Sequence, residues 1–218
     1  MEKTITVRGT GRISVKPDLI RVSLTLRIKD KDYAEAMTRS AKLQDALRTA
    51  LEKAGFERDA LKTGSFNVLT EYESVRDQNG SFRQVFSGYV CEHQMNIEFP
   101  FDTELLSRVL TSIAFCVADP ELNVSFTVKD RDAISDALLA SAAKNARRRA
   151  ELLAEASGVK LGELLSIDYN WSEVSFISPT SCRMNKRSAV FAEESVDMDI
   201  NPQEIDLSDS ATFVWEIE

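Results

Sequence analysis

The stretch that decides the fold is Leu19-Ile20-Arg21-Val22-Ser23-Leu24-Thr25-Leu26-Arg27-Ile28-Lys29. Ile20, Val22, Leu24, Leu26 and Ile28 alternate with Arg21, Ser23, Thr25, Arg27 and Lys29. Successive side chains of a strand point to opposite faces, so the five apolar residues share one face and the polar ones take the other. A strand divided in this way belongs to a sheet with a core on one side and water on the other. Upstream, Ile5 and Val7 read as a partner strand. Gly9 and Gly11 read as turn glycines between the two, and Pro17-Asp18 restarts the chain.

Downstream the period changes. Ala36, Met37, Leu43, Leu47, Leu51 and Ala54 fall near one face of a helix starting around Asp32, and Gly55 sits where a left-handed C-terminal cap is expected. A strand from about Ser65 to Val75 leads into Asp77-Gln78-Asn79-Gly80, and Asn-Gly between two β-rich runs predicts a hairpin. On the return strand Tyr89, Cys91, His93, Met95, Ile97 and Phe99 face one way; Glu92, Gln94, Asn96 and Glu98 face the other. Pro100 ends it, and Asp102 or Thr103 can cap a helix carrying Leu105, Leu106, Val109, Leu110 and Ile113. Leu122, Val124, Phe126 and Val128 form another one-sided strand. A long helix is predicted from about Arg131 to Ser157, ending at Gly158. Its stripe is Ile134, Leu138, Ala142, Ala146, Ala150 and Leu153, and the alanines would let its axis lie close to the sheet.

Leu164 to Trp171 reads as a further strand, and Phe213, Trp215 and Ile217 alternate in a closing one. Between them, residues 172–209 hold Pro179, Pro202 and a mixed charge run without a sustained period. That segment is expected as a long loop or arm with room for short strands, the kind of connection that carries function. No linker divides the chain. The expected fold is α+β, an antiparallel β-sheet with helices packed on one face, in a single domain over residues 1–218.

The bulk numbers agree. A chain of 218 residues buries roughly 70% of its unfolded surface, enough for a core without disulfides or metal. The net charge of −8 disfavours nucleic acid and anionic membranes as partners, since both need surplus Lys and Arg on some face. No stretch approaches the ~20 apolar residues of a membrane helix. The opening MEKTITVRGTG lacks the apolar core of a signal peptide. Cys91, Cys116 and Cys182 are odd in number and unpatterned in spacing, which suits a reducing compartment. The expected location is cytoplasmic, or periplasmic if a leader has been removed.

Each chemical constellation competes with a plainer reading. His93, the single histidine, shares a strand face with Cys91. Together they could form a metal site or a Cys–His pair, but nothing has ligand spacing, and a hydrogen-bonded strand histidine is the expectation. Cys91 and Cys116 read as core thiols. Cys182, near Arg183 and Lys186, is the better placed for redox chemistry, because positive charge lowers a thiol pKa; an incidental cysteine is the plainer reading. Gly9-Thr10-Gly11 lacks the third glycine and the Lys-Ser/Thr of a phosphate loop. Lys144, Arg147, Arg148 and Arg149 could be an anion surface, yet Glu151 and Glu155 follow at pairing distance, so a solvated helix face is expected. Glu193, Glu194, Asp197, Asp199, Glu204, Asp206 and Asp209 lack the glycine-centred ligand pattern of a calcium loop. Glu71 and Glu73 could be an acid–base pair or, more plainly, a wet strand face.

Several short motifs follow one another along the chain: Val7-Arg8-Gly9-Thr10-Gly11 with Val15-Lys16-Pro17-Asp18, then Ser87-Gly88-Tyr89 opening the central strand. The Ala-rich helix from Ala142 through Ala150 and Leu153-Ala154 comes next, running into Gly158-Val159-Lys160-Leu161-Gly162, and Ile200-Asn201-Pro202 precedes the last strand. Taken in order, they resemble the SIMPL family, named for a signalling molecule associated with a pelle-like kinase. The resemblance implies an α+β domain that self-assembles in some members, including ring or channel-like particles. It also implies an envelope-associated protein linked to oxidative stress or immunogenicity, with no established enzymatic activity and no catalytic residues to carry over. The chain departs from the family in its charged 172–209 segment, often Met- and Ala-rich elsewhere, and in lacking the leader of periplasmic members.

The expected function is therefore a non-enzymatic, self-associating scaffold or interaction protein, stress-related and a homo-oligomer, with no catalytic, cofactor or metal residues assigned. The alternative is a small-molecule binder or enzyme with a pocket near His93 or under the 172–209 segment.

Overall fold

A computed structural model describes residues 3–76, 82–170, 174–184 and 200–218. In chain order the elements are β1 (Thr4–Val15), β2 (Leu19–Asp30), α1 (Tyr33–Lys53), β3 (Lys62–Arg76), β4 (Phe82–Pro100), α2 (Thr103–Ala114), β5 (Glu121–Thr127), α3 (Arg131–Ala156), β6 (Leu161–Asp168), β7 (Ile177–Met184) and β8 (Ile205–Ile217). The fold is α+β, with two sheets rather than one: β3-β4-β2-β5-β7 and β1-β8-β6. The chain divides into two compact units. One holds residues 19–126 and 180–201; the other holds residues 1–18, 127–179 and 202–218.

In the first unit, β2 runs antiparallel to β4 with Ile20 opposite Phe99, Leu24 opposite Met95 and Ile28 opposite Cys91. The apolar face expected of β2 is buried throughout, and α1 and α2 supply Leu47, Leu51, Leu106, Val109 and Ile113 to the same core. Burying each such side chain contributes about 1.5–3 kcal/mol relative to leaving it in water. Asp32 and Asp102 cap the two helices, their side chains accepting from the Glu35 and Leu105 amides. Gly55 closes α1 at φ +102°, a left-handed conformation that glycine adopts without a Cβ penalty. The hairpin predicted at Asn79-Gly80 is present as a β3–β4 ladder reaching Arg76 opposite Phe82, although the turn itself lies outside the described residues.

In the second unit, β1 pairs antiparallel with β8 along its whole length, from Thr4 opposite Glu216 to Val15 opposite Ile205. This corrects the expectation that Ile5 and Val7 partner β2. It also corrects the reading of Gly9 and Gly11, which lie inside β1 rather than in a turn. They are glycines because α3 lies on them. A Cβ on Gly9 would stand 2.2 Å from the Ala142 carbonyl oxygen, and one on Gly11 would stand 2.1 Å from that of Leu138. The alanine stripe expected to bring the helix close does so, with Ala142, Ala146, Ala150 and Ala154 buried. Leu153, expected on that stripe, is 49% exposed, and Ala154 occupies the inward position.

Strand β6 begins at Leu161, earlier than expected, and pairs with β8. The segment expected as a loop holds all of β7 and the start of β8. Its proline-poor stretch 185–199, with Lys186, Glu193, Glu194, Asp197 and Asp199, lies outside the described residues, as does Trp171.

Candidate functional site

The Cys91–His93 face comes first because it carries the lone histidine. β4 sets His93 opposite Leu26 of β2 and Phe66 of β3. His93 is 5% exposed. Its Nε2 lies 3.1 Å from Thr63 Oγ1, and the Phe66 ring meets it edge-on at 5.1 Å. Burial, reinforced by the positive charge of Arg48, holds the imidazole below its ordinary pKa. Cys91 is fully buried, 3.9 Å from the Met37 sulfur, and burial pushes its thiol up. A neutral imidazole and a protonated thiol in a dry core make packing and one hydrogen bond, as the plainer reading expects. Cys116 and Cys182 are half-buried against the same core. Cys182 thus sits on strand β7 rather than in a loop.

The carboxylate candidates are held by cations. Glu71 meets Lys29 at 2.6 Å and Arg27 at 2.9 Å, and Glu73 meets Lys29 at 2.9 Å and the Ser87 hydroxyl. The hydrogen bond from Lys29 lowers the Glu71 pKa, and that from Ser87 lowers the Glu73 pKa. Both therefore stay ionised through neutral pH, which does not suit a general acid. Arg147 pairs with Glu151 at 3.0 Å, as helix spacing implied. Arg149 donates to the Arg8 carbonyl at 3.2 Å. Of the acidic run, Glu204 Oε2 and Asp206 Oδ1 lie 2.8 and 2.7 Å from the Ser14 hydroxyl.

Asp209 behaves differently. It stands in the inward register of β8, in line with Ile205, Leu207, Ala211, Phe213 and Trp215, and is 8% exposed. Its Oδ2 accepts the Tyr169 hydroxyl at 2.8 Å, and its Oδ1 accepts the Ser210 amide at 2.7 Å. That bond, with burial, raises the tyrosine pKa, so the phenol remains a donor. The pair lines a cleft of about 450 Å³ at the start of α3. Leu138, Leu139, Val174 and Phe176 give it an apolar floor, and Arg131, Asp132, Ser135 and Asp136 form its polar rim. Val174 and Phe176 belong to the segment under which a pocket was expected; the Tyr169–Asp209 pair was not foreseen. Its signal was nevertheless in the sequence, as a lone acid in the apolar alternation Ile205 to Trp215.

The remaining feature is a surface. β2 pairs with β4 over Tyr89–Pro100, so among the described residues Phe82–Gly88 is paired with β3 alone. Tyr72 faces Phe86 across this ribbon at 5.9 Å, Phe86 meets Tyr89 at 5.2 Å, and Tyr89 meets Tyr33 of α1 at 5.6 Å. These edge-on contacts form a continuous aromatic row. Tyr72 is 56% exposed and Phe82 75%. Tyr72 lies in the strand expected from about Ser65 to Val75, but its exposure was not legible, because alternation does not reveal where a covering helix stops.

Among proteins of known description, the chain is similar to the 26 kDa periplasmic immunogenic proteins of Brucella melitensis and Brucella abortus, 24% identical to each over 163 residues. That alignment covers 75% of this chain and 65% of either relative, so the chain spans about two thirds of their length. The family model for SIMPL, described as a protein of unknown function (DUF541), matches residues 5–215. With nearly its whole length covered, the chain belongs to the SIMPL family.

Proposed function

We propose that this chain is a non-enzymatic interaction protein that associates with further copies of itself through the β3–β4 ribbon, in the periplasm. The observation that carries the reading is the exposed aromatic row from Tyr33 to Tyr72 together with Phe82. A two-stranded ribbon is marginal in water, and a contiguous apolar patch on it marks a contact surface. β3 is an edge strand whose outer side is unpaired among the described residues.

A second copy suits this edge because the unpaired amides and carbonyls of an edge strand can be met by the same strand of another copy, running antiparallel across a two-fold axis. The dry, neutral state of His93 and Cys91 supports a role without catalysis. The periplasm is favoured over the cytoplasm because the similar Brucella proteins are periplasmic.

The test is solution mass by light scattering at tens of micromolar, with and without reductant. Multiples of 24.4 kDa, independent of reductant and reduced to the monomer by Tyr72→Ser/Phe86→Ser, are expected. A wild-type monomer under these conditions would overturn the proposal.

A further inference from the structure

We infer that His93 is a pH-sensitive latch on β3, fastening the start of this edge strand to the sheet at neutral pH and releasing it in acid. The register of β3 against β4 shifts between Thr63 and Ser65, with Gly64 as the extra residue. Such a bulge re-aims the side chains around it. Plain alternation would place Thr63 and Phe66 on opposite faces, yet both meet the same imidazole. Thr63 Oγ1 lies 3.1 Å from Nε2, and the Phe66 ring stands edge-on at 5.1 Å. The two strands are thus clasped through a side chain that is 5% exposed.

The groups packed on the ring do not suit a charged imidazole. β2 sets Leu26 beside it, β3 brings Thr63 and Phe66, and Cys91 on its own strand face stays a neutral thiol. α1 contributes Arg48, whose charge adds to burial in opposing protonation, and among the described residues no carboxylate acts on the ring. A buried charge without a counter-charge is relieved by letting water in. β3 is the element that yields. Among the described residues it is paired on one side, whereas β2 and β4 are paired on both, and Phe66 is already 41% exposed. The histidine takes up a proton more readily in the open form, so opening is favoured as pH falls below about 6.5. Glu71 and Glu73, held below the ordinary carboxylate range by Lys29 and Ser87, stay ionised over that interval. The strand released at Phe66 is the one that carries Tyr72, so acid should also weaken association of copies. That second consequence rests on the reading of β3 as the contact.

Hydrogen exchange of the full chain at pH 7.5 and 5.5, corrected for the intrinsic rate at each pH and run at low micromolar concentration, reads the latch. The β3 amides around Phe66 should lose up to about tenfold in protection at pH 5.5, the ceiling for one histidine with an open-state pKa of about 6.5. Amides of β2 at Val22 and Leu24 should keep theirs. His93→Gln, neutral at both pH values, should abolish the loss. Should that variant misfold, Arg48→Gln, which removes the charge opposing the proton, should still shrink it. Equal losses in wild type and in either variant, or a loss spread evenly over β2 and β3, would overturn the latch. Light scattering at tens of micromolar then reads the edge: the wild-type mass should fall between pH 7.5 and 5.5, and that of His93→Gln should not. An unchanged multimer with β3 opened would overturn the coupling to association. A monomer at both pH values would sink the reading of β3 as a contact, while exchange still decides the latch.

Discussion

His93 shows how one side chain couples the core to pH. The folded chain holds its imidazole below the ordinary pKa, first by burial and then by the charge of Arg48. The Arg48 Nε is itself buried without a hydrogen-bond partner among the described residues, so a second positive charge beside it adds repulsion where solvent screens little. The unfolded chain, with a histidine pKa of about 6.5, binds the proton more readily than the fold does. The stability that neutral His93 contributes is therefore fully present above about pH 6.5 and is lost as pH falls through its lower folded value. Urea unfolding at pH 7.5 and 5.5 should show this loss, and His93→Leu should remove that part of the difference. An unchanged pH slope in the variant would show that carboxylates alone set it. Asp209 is the residue-scale counterpart, an acid whose inward position was legible in the alternation of β8. Its partner was not, because Tyr169 and Asp209 are forty residues apart and no period relates them.

Among the elements, the close approach of α3 to β1 rests on missing side chains. Gly9→Ala or Gly11→Ala would put a methyl carbon against a helix backbone oxygen that cannot rotate away. Either change should cost about 1–3 kcal/mol by overpacking, read as a lower urea midpoint. Ala142→Gly leaves the contact open and should cost only the helix-propensity difference, about 1 kcal/mol. The helix cap tests a simpler link, since the Asp130 side chain accepts the Ala133 amide at 3.0 Å. Asp130→Ala should destabilise by about 1 kcal/mol, and Asp130→Asn should restore most of that.

Helix and strand identities were readable because each rests on local rhythm. Pairing was not. The alternation in β1 says which face is oily but not which strand lies beside it, so β1 was matched to its neighbour in sequence instead of to β8. The glycines misled for a related reason, since a glycine that admits another backbone and one that turns its own look alike in a single sequence.

On the scale of the whole molecule, sheet edges and uncovered apolar residues set the behaviour. The five-stranded sheet has β3 at one edge, and the three-stranded sheet ends in β6, where Leu164, Leu165 and Ile167 are exposed. Both are strands on which sequence rhythm is weakest, and for both the bland expectation of one wet face was too simple. If copies associate through β3, hydrogen exchange at the outward amides of Tyr72 to Arg76 should slow as concentration rises from micromolar to hundreds of micromolar, while the amides of β6 should not change. Protection appearing on β6 instead would move the contact to the other sheet.

The uneven lengths of β2 and β4 have a final consequence. Because β4 runs past the point where β2 stops, its far end is a cantilever anchored at Tyr89. Little of the load borne by the core passes through that overhang, so insertions or exchanges near Phe82 should leave the melting temperature almost untouched. The overhang is thus the part of the molecule most at liberty to be rewritten, and a change of binding partner could arise there without endangering the body that carries it.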